Sequence, residues 1–281
     1  MLTINTNNGA ITAAKAAKNA QKQMDQAMMR LSTGKRLNSA KDDPGSLTVA
    51  IRMTAEINSL TTSLKNASDA QSAVDTGEAA LAEIQVLLLR LRELAVQSST
   101  ETTTTADRAA LNSEVSALET EIDRIGSSTT WGGINLLNGT YSKASPIVFQ
   151  IGPNDGETLS FTMGFVKATT NVSSQGTLGL TSDVLTRTKA SSYISTIDGA
   201  ISVVSSRRGG FGAVSNRLDS TITNIRNMRA NILSAKGQIE DTDYAVETAK
   251  LARAQILLQA ATAMLSQANA SKNLTMQLIN N

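Results

Sequence analysis

Between Tyr193 and about Gln238 the apolar residues Ile194, Ile197, Ile201, Val204, Phe211, Leu218, Ile222, Ile225 and Ile232 keep an alternating three-and-four spacing. A register held over several heptads marks a helix that supercoils against partners. The vacant slots of this register are Arg208, Ser215 and Arg229. At 1.5 Å per residue the helix is about 70 Å long. Each stripe side chain is worth roughly 1.5–3 kcal/mol once buried. The rest of the chain must therefore supply a surface that covers it.

Upstream, Ala13, Ala17, Ala20, Met24, Ala27 and Leu31 repeat the spacing with alanine, which makes a narrow seam, and Gly34 is placed to stop that helix. Asp42-Asp43-Pro44-Gly45 reads as a turn. A second long stripe follows on Met53, Ile57, Leu60, Leu64, Ala67, Val74, Leu81, Ile84, Leu88, Leu91 and Ala95. Its phase slips near Leu81, as a 3.6-residue helix drifts against a 3.5-residue repeat. After a threonine-rich loop, Thr104 and Asp107 form a capping pair for a third helix. That helix carries Leu111, Val115, Leu118, Ile122 and Ile125 on one face and ends near Gly126. The short loop makes it antiparallel to the second.

From Ser127 to about Thr186 glycines become dense and β-formers alternate. Residues 146–151 and 158–163 flank Asn154-Asp155-Gly156, a hairpin signal. Gly209, Gly210 and Gly212 interrupt the long fourth helix at about 1 kcal/mol each, which implies close backbone packing or a local kink. After Gly237, the acids from Glu240 to Asp243 favour a new helix start. The last helix carries Leu251, Ala254, Leu258, Ala261, Leu265 and Ala268. The layout is nearly a palindrome, with an alanine seam at each end. Residues 1–44 hold seven basic and three acidic side chains and residues 236–281 four of each, a bias that favours pairing of the two ends. The fold class expected is mainly α: a long antiparallel coiled-coil-like bundle, a small β-hairpin insert at about 127–186, and terminal helices paired as an inner domain. Residues 1–44 and 236–281 would form the inner domain, and 45–235 the rod-like one. Alanine seams at both ends ask for more cover than two helices provide, so copies of the chain are expected to meet over them.

Composition removes most chemistry. The chain has no cysteine and no histidine, so thiolate chemistry, the commonest metal ligand and the usual general base near neutral pH are all missing. A net charge of +2 with interspersed signs gives no case for nucleic acid. No stretch is long and apolar enough to span a bilayer, and Met1-Leu2-Thr3-Ile4-Asn5 lacks the basic start of a secretory leader. Ser32-Thr33-Gly34-Lys35 fits S-x-x-K, but its partner motifs are missing. Asp42-Asp43 lacks the alternating ligands of a calcium loop. The expectation is no enzyme, no cofactor and no metal.

Several stretches are more specific. Ile4-Asn5-Thr6-Asn7, the run from Arg30-Leu31-Ser32-Thr33-Gly34-Lys35-Arg36 to Asp43, and Leu91-Arg92-Glu93-Leu94-Ala95-Val96-Gln97 resemble the bacterial flagellins. So do Glu121-Ile122-Asp123-Arg124-Ile125, Asn135-Leu136-Leu137-Asn138-Gly139 and Asn216-Arg217-Leu218, in the same order across essentially the whole chain. The resemblance implies a filament subunit with an inner two-helix domain and an outer helical domain, without the large variable outer domains of many flagellins. It implies self-assembly into a helical homopolymer that drives swimming, and an extracellular location. It further implies leaderless export by the flagellar type III apparatus, and an export chaperone, a filament cap and hook-associated proteins as partners. In flagellins detected by a toll-like immune receptor, the contacting positions correspond to Arg90, Leu94 and Glu114 here. Two features depart from the family pattern: the end Asn273-Leu274-Thr275-Met276-Gln277-Leu278-Ile279, and Thr130-Trp131-Gly132-Gly133 in place of Phe-Asn-Gly. The competing readings are a hook–filament junction protein of the same lineage, separable by copy number, and an intracellular coiled-coil scaffold, separable by location.

Overall fold

The computed structural model describes residues 6–140, 146–164, 166–168, 178–180 and 183–279. Ile4 and Asn5 of the opening motif, and parts of the 127–186 insert, lie outside the described residues. The elements in order are α1 (Asn8–Thr33), α2 (Pro44–Ser98), α3 (Thr105–Ser128), β1 (Thr130–Trp131), β2 (Ile134–Asn135), β3 (Ile147–Gln150), β4 (Thr158–Phe161), α4 (Arg187–Glu240) and α5 (Tyr244–Ile279). They fall into two compact units. Unit 1 takes Met1–Ile57 with Ala230–Asn281, and unit 2 takes Asn58–Arg229.

In unit 2 the leucine and isoleucine stripes meet. Leu81, Ile84, Leu88 and Leu91 of α2, Val115 and Ile122 of α3, and Ile197, Val204, Phe211 and Leu218 of α4 share one core. The polar partners give the helix directions. As α2 rises from Gln71 to Arg92, its partners on α4 fall from Ser215 to Asp198, so the two helices run antiparallel. The vacant slots of the α4 stripe hold these links. Arg208 reaches Glu78 at 2.5 and 2.8 Å and Gln85 at 2.7 Å, and Gln71 donates to Ser215 Oγ at 2.6 Å. Arg229 donates to Thr61 Oγ1 at 3.5 Å. A polar residue in an apolar seam pairs well in one alignment only, so such slots set register. Thr104 and Asp107 make the expected capping box on α3, with both reciprocal bonds present.

The hairpin at 146–163 forms as expected, with Ile147 opposite Phe161 and Gln150 opposite Thr158. A second, two-residue-per-strand hairpin, β1–β2, turns at Gly132 and Gly133, whose φ values are 57° and 81°. Positive φ at both central residues matches the twist of the flanking strands and is open to glycine. Trp131, Phe149 and Phe161 pack in sequence, edge-on at 6.4 Å and stacked at 5.8 Å, so Trp131 is a packing residue.

Of the two expectations for the glycine run of α4, close packing and a local kink, the first is not met. The helix is continuous through Gly209, Gly210 and Gly212, and nothing stands within 4 Å of a Cβ built at any of them. Close packing is therefore not their role. It is the role of other glycines, Gly77 and Gly126 among them. A Cβ at Gly77 would meet the Phe211 ring at 3.0 Å, and one at Gly126 would meet the Val166 carbonyl oxygen at 2.3 Å.

Candidate assembly surface

In unit 1, α1 and α5 pair antiparallel. Asn7 Nδ2 donates to the Ala268 carbonyl at 3.1 Å near one end, and Tyr244 Oη to the Leu31 carbonyl at 3.1 Å near the other. Ala13, Ala20 and Ala27 are buried on α1, as are Ala254 and Ala261 on α5. Small side chains let helix axes approach closely. This corrects the expectation about cover: the two alanine seams close over each other within one chain, and a second copy is not what fills them.

The motif Arg30–Arg36 acts as a clasp on this pair. Gly34 turns the chain out of α1 with φ 69°, the left-handed stop expected of it. Its carbonyl accepts from Thr242 N at 3.0 Å, and Arg36 N donates to the Glu240 carbonyl at 2.7 Å, flanking a Lys35–Asp241 bridge. The Arg36 guanidinium donates to the Ile239 carbonyl at 3.2 and 2.7 Å, capping an orphan acceptor at the end of α4. Lys35 Nζ lies 2.5 Å from Glu240, which also faces Lys236 at 3.3 Å. The hydrogen bond from Lys35 holds the Glu240 carboxyl below its ordinary value and Lys35 above its own. Glu247, almost fully buried, is met by Arg30 at 3.5 Å and Lys250 at 2.8 Å. Ser32 and Lys35 thus belong to a helix stop and a clasp, with no nucleophile arrangement.

The acidic turn is consumed in the same way. Asp42 accepts from the Ser39 and Asn38 backbone at 2.9 and 3.1 Å. Asp43 accepts from the Ser46 hydroxyl at 2.6 Å and from the Ser46 and Gly45 backbone, opening α2 ahead of Pro44. These bonds lower both carboxyls, that of Ser39 N foremost for Asp42 and that of Ser46 Oγ for Asp43. Among the described residues no group of three acidic side chains could hold a metal ion, and no helix is long and apolar enough to cross a membrane.

With the seams closed, other apolar rows stay outside: Ile11, Met28 and Met29 on α1, and Ile256, Leu257 and Met264 on α5. Leu257 and Met264 line a groove of about 510 Å³ with Gly9, Ala13, Ala16 and Ala261. Sequence reasoning missed these residues, although a signal was present. Met28-Met29 and Ile256-Leu257-Leu258 are consecutive, and residues one apart on a helix cannot share a narrow seam.

In unit 2, the positions Arg90, Leu94 and Glu114 do not behave alike. Arg90 and Glu114 are exposed and paired at 2.8 Å, with Glu93 also on Arg90 at 3.1 Å. Leu94 is 1% exposed and belongs to the core, because the buried face of α2 here takes in Leu91, Leu94, Ala95 and Ser98. The structure does not offer Leu94 to a partner, and the exposed large apolar residues on this stretch of α2 are Val86, Leu89 and Val96.

Residues 4–142 match the bacterial flagellin N-terminal helical region, and residues 194–279 the bacterial flagellin C-terminal helical region. A flagellin of Halalkalibacterium halodurans is 38% identical over 257 residues, covering 92% of each chain. Flagellin B of Vibrio cholerae is 29% identical over 376 aligned positions and 99% of each chain, so it carries stretches with no counterpart among these 281 residues. A putative flagellar hook-associated protein from Vibrio parahaemolyticus shares the fold over 71% of this chain and all of its own, with TM-score 0.59 and 15% identity. Two family regions covering both helical halves, together with a full-length relative at this identity, place the chain in the bacterial flagellin family, the structural subunits of the flagellar filament.

Proposed function

We propose that this subunit joins its neighbours in the helical filament through unit 1, over the apolar rows that the α1–α5 pair leaves outside. One observation carries the reading. Ile11, Ile256, Leu257 and Met264 remain exposed after the seams of both helices have closed. Apolar patches of this kind, unneeded for the chain's own fold, mark interaction surfaces. Identical subunits that meet through non-identical surfaces extend as open helical arrays. In this reading residues 1–44 and 236–281 serve as the inner domain and 45–235 as the outer one, and the chain is exported by the flagellar type III apparatus with its chaperone and cap. Family membership is the support for the export partners. The test is seeded elongation of Ile256→Asp. We expect elongation to stop while the helix content of the monomer stays at the wild-type level. Growth at the wild-type rate overturns the reading.

A narrower reading concerns the immune receptor. Arg90 and Glu114, exposed and 2.8 Å apart, present one charged pair on the surface of unit 2. Leu94 would act beneath them through packing. Receptor activation by monomeric Arg90→Ala, compared with wild type, tests it, and unchanged activation removes it.

A further inference from the structure

We propose that Met264 is an oxidation site through which peroxide-class oxidants control addition of the free subunit to the filament. The proposal rests on the reading that unit 1 forms the contact between copies. Met264 is 62% exposed, more than Met28 or Met29, and it lies in the mouth of the α1–α5 groove beside exposed Leu257. Around it the lining is mostly apolar or small, with Gly9, Ala13, Ala16, Ala260 and Ala261, and it also takes in Thr12, Gln267 and Ser271. Among the described residues the side chain is left 62% exposed, so an oxidant reaches it in the monomer. A thioether suits an irregular apolar contact because it is flexible and polarisable.

The chemistry is a two-electron oxygen transfer. The sulfur lone pair attacks one oxygen of a hydroperoxide, the O–O bond breaks, and an S–O bond forms. The thioether is oxidised to the sulfoxide, and hydrogen peroxide is reduced to water after proton transfer. The product is polar and chiral where the groove face was apolar, and it must be desolvated for a neighbouring copy to settle there. Once a neighbour covers the groove, the same sulfur is shielded. The free subunit is therefore sensitive and the assembled one resistant. The step is reversible, since methionine sulfoxide reductases restore the thioether.

Other methionines of the chain calibrate the experiment. Met163 is 1% exposed and reports global opening, while exposed Met228 of unit 2 lies outside the proposed contact and reports oxidant dose. Monomer and filament are treated with hydrogen peroxide and the sulfoxide at each position is measured by peptide mass. Seeded elongation of treated and untreated monomer is compared for wild type and Met264→Leu, each against its own untreated rate. We expect Met264 to oxidise about tenfold or more slowly in the filament than in the monomer. We expect treated wild type to elongate about tenfold or more slowly, the treated Met264→Leu ratio to stay near one, and the reductases to restore wild type. Equal oxidation of Met264 in both forms, or equal slowing of wild type and Met264→Leu, overturns the proposal. If Ile256→Asp elongates normally, the underlying reading of unit 1 fails instead.

Discussion

Unit 2 is held by large side chains: Leu81, Leu88, Leu91, Ile122, Ile197 and Leu218 are all inaccessible to solvent. In unit 1 the buried apolar residues of α1 and α5, among those described, are alanines, and the direct links are carried by backbone and charge at the clasp. Burying a leucine or isoleucine is worth roughly 1.5–3 kcal/mol, whereas one methyl is worth about 0.8 kcal/mol. A two-helix pair closed on alanine has little reserve: Leu31, Leu251, Leu258 and Leu265 are only half-buried, and Ile11, Ile256, Leu257 and Met264 are exposed. The contrast teaches a division of labour. Unit 2 builds a core of large side chains and still exposes some, Val86 and Leu89 among them, whereas the helix pair of unit 1 closes on alanine and leaves Ile11, Ile256, Leu257 and Met264 on its surface.

This contrast can be broken by measurement. The chain has a single tryptophan, Trp131 in unit 2, so its fluorescence reports that unit, while circular dichroism reports helix in both. The largest effect is expected from Leu91→Ala, a loss of about 2–5 kcal/mol in the fluorescence-detected denaturation of unit 2. Ala27→Leu should overpack the α1–α5 seam at about 1–3 kcal/mol, seen in the helix signal with the Trp131 transition unmoved. A shift of both transitions together would show that the units do not unfold separately. Arg36→Ala removes the bonds to the Ile239 carbonyl and should cost unit 1 about 1 kcal/mol. Gly209→Ala should stabilise α4 by about 0.4–1 kcal/mol, since the helix is continuous there and the space is open.

The smallest effect is expected with pH, and its sign differs between the units. Glu240 of the clasp is lowered, chiefly by its bond from Lys35, so its contribution is present above the ordinary glutamate value and is lost as pH falls through the folded value. Glu119 in unit 2 is raised, chiefly by burial and against the bond from Tyr193. Its contribution is fully present below the ordinary glutamate value and is lost as pH rises through the raised one. Acidification should therefore first tighten unit 2 and, at lower pH, loosen unit 1. Glu119→Gln should remove the first change and leave the second.

The long helices, the capping box at Thr104, the stop at Gly34 and the hairpin at Asn154–Gly156 were legible in the sequence because each is a local pattern. A heptad stripe, a capping side chain and a turn dipeptide act within a few residues of themselves. Family membership was legible for the same reason, in short motifs kept in order. The small hairpin at Gly132-Gly133 was missed, because two residues per strand leave no alternation to read.

Tertiary structure decided what those patterns face. The α4 stripe foretold its buried side, but only the antiparallel α2 shows that Arg208 and Ser215 are occupied slots, with Glu78, Gln85 and Gln71 as partners. The alanine seams foretold partners, but pairing between helices more than 200 residues apart made those partners each other. Leu94 and Arg90 stand four residues apart, yet one is core and one is surface, because the covered width of α2 depends on how many helices lie against it. Periodicity is a property of one helix, whereas cover is a property of its neighbours. Hence the sequence alone determined the rows, and the packing determined which of them, Met264 and Ile256 among them, stayed on the surface.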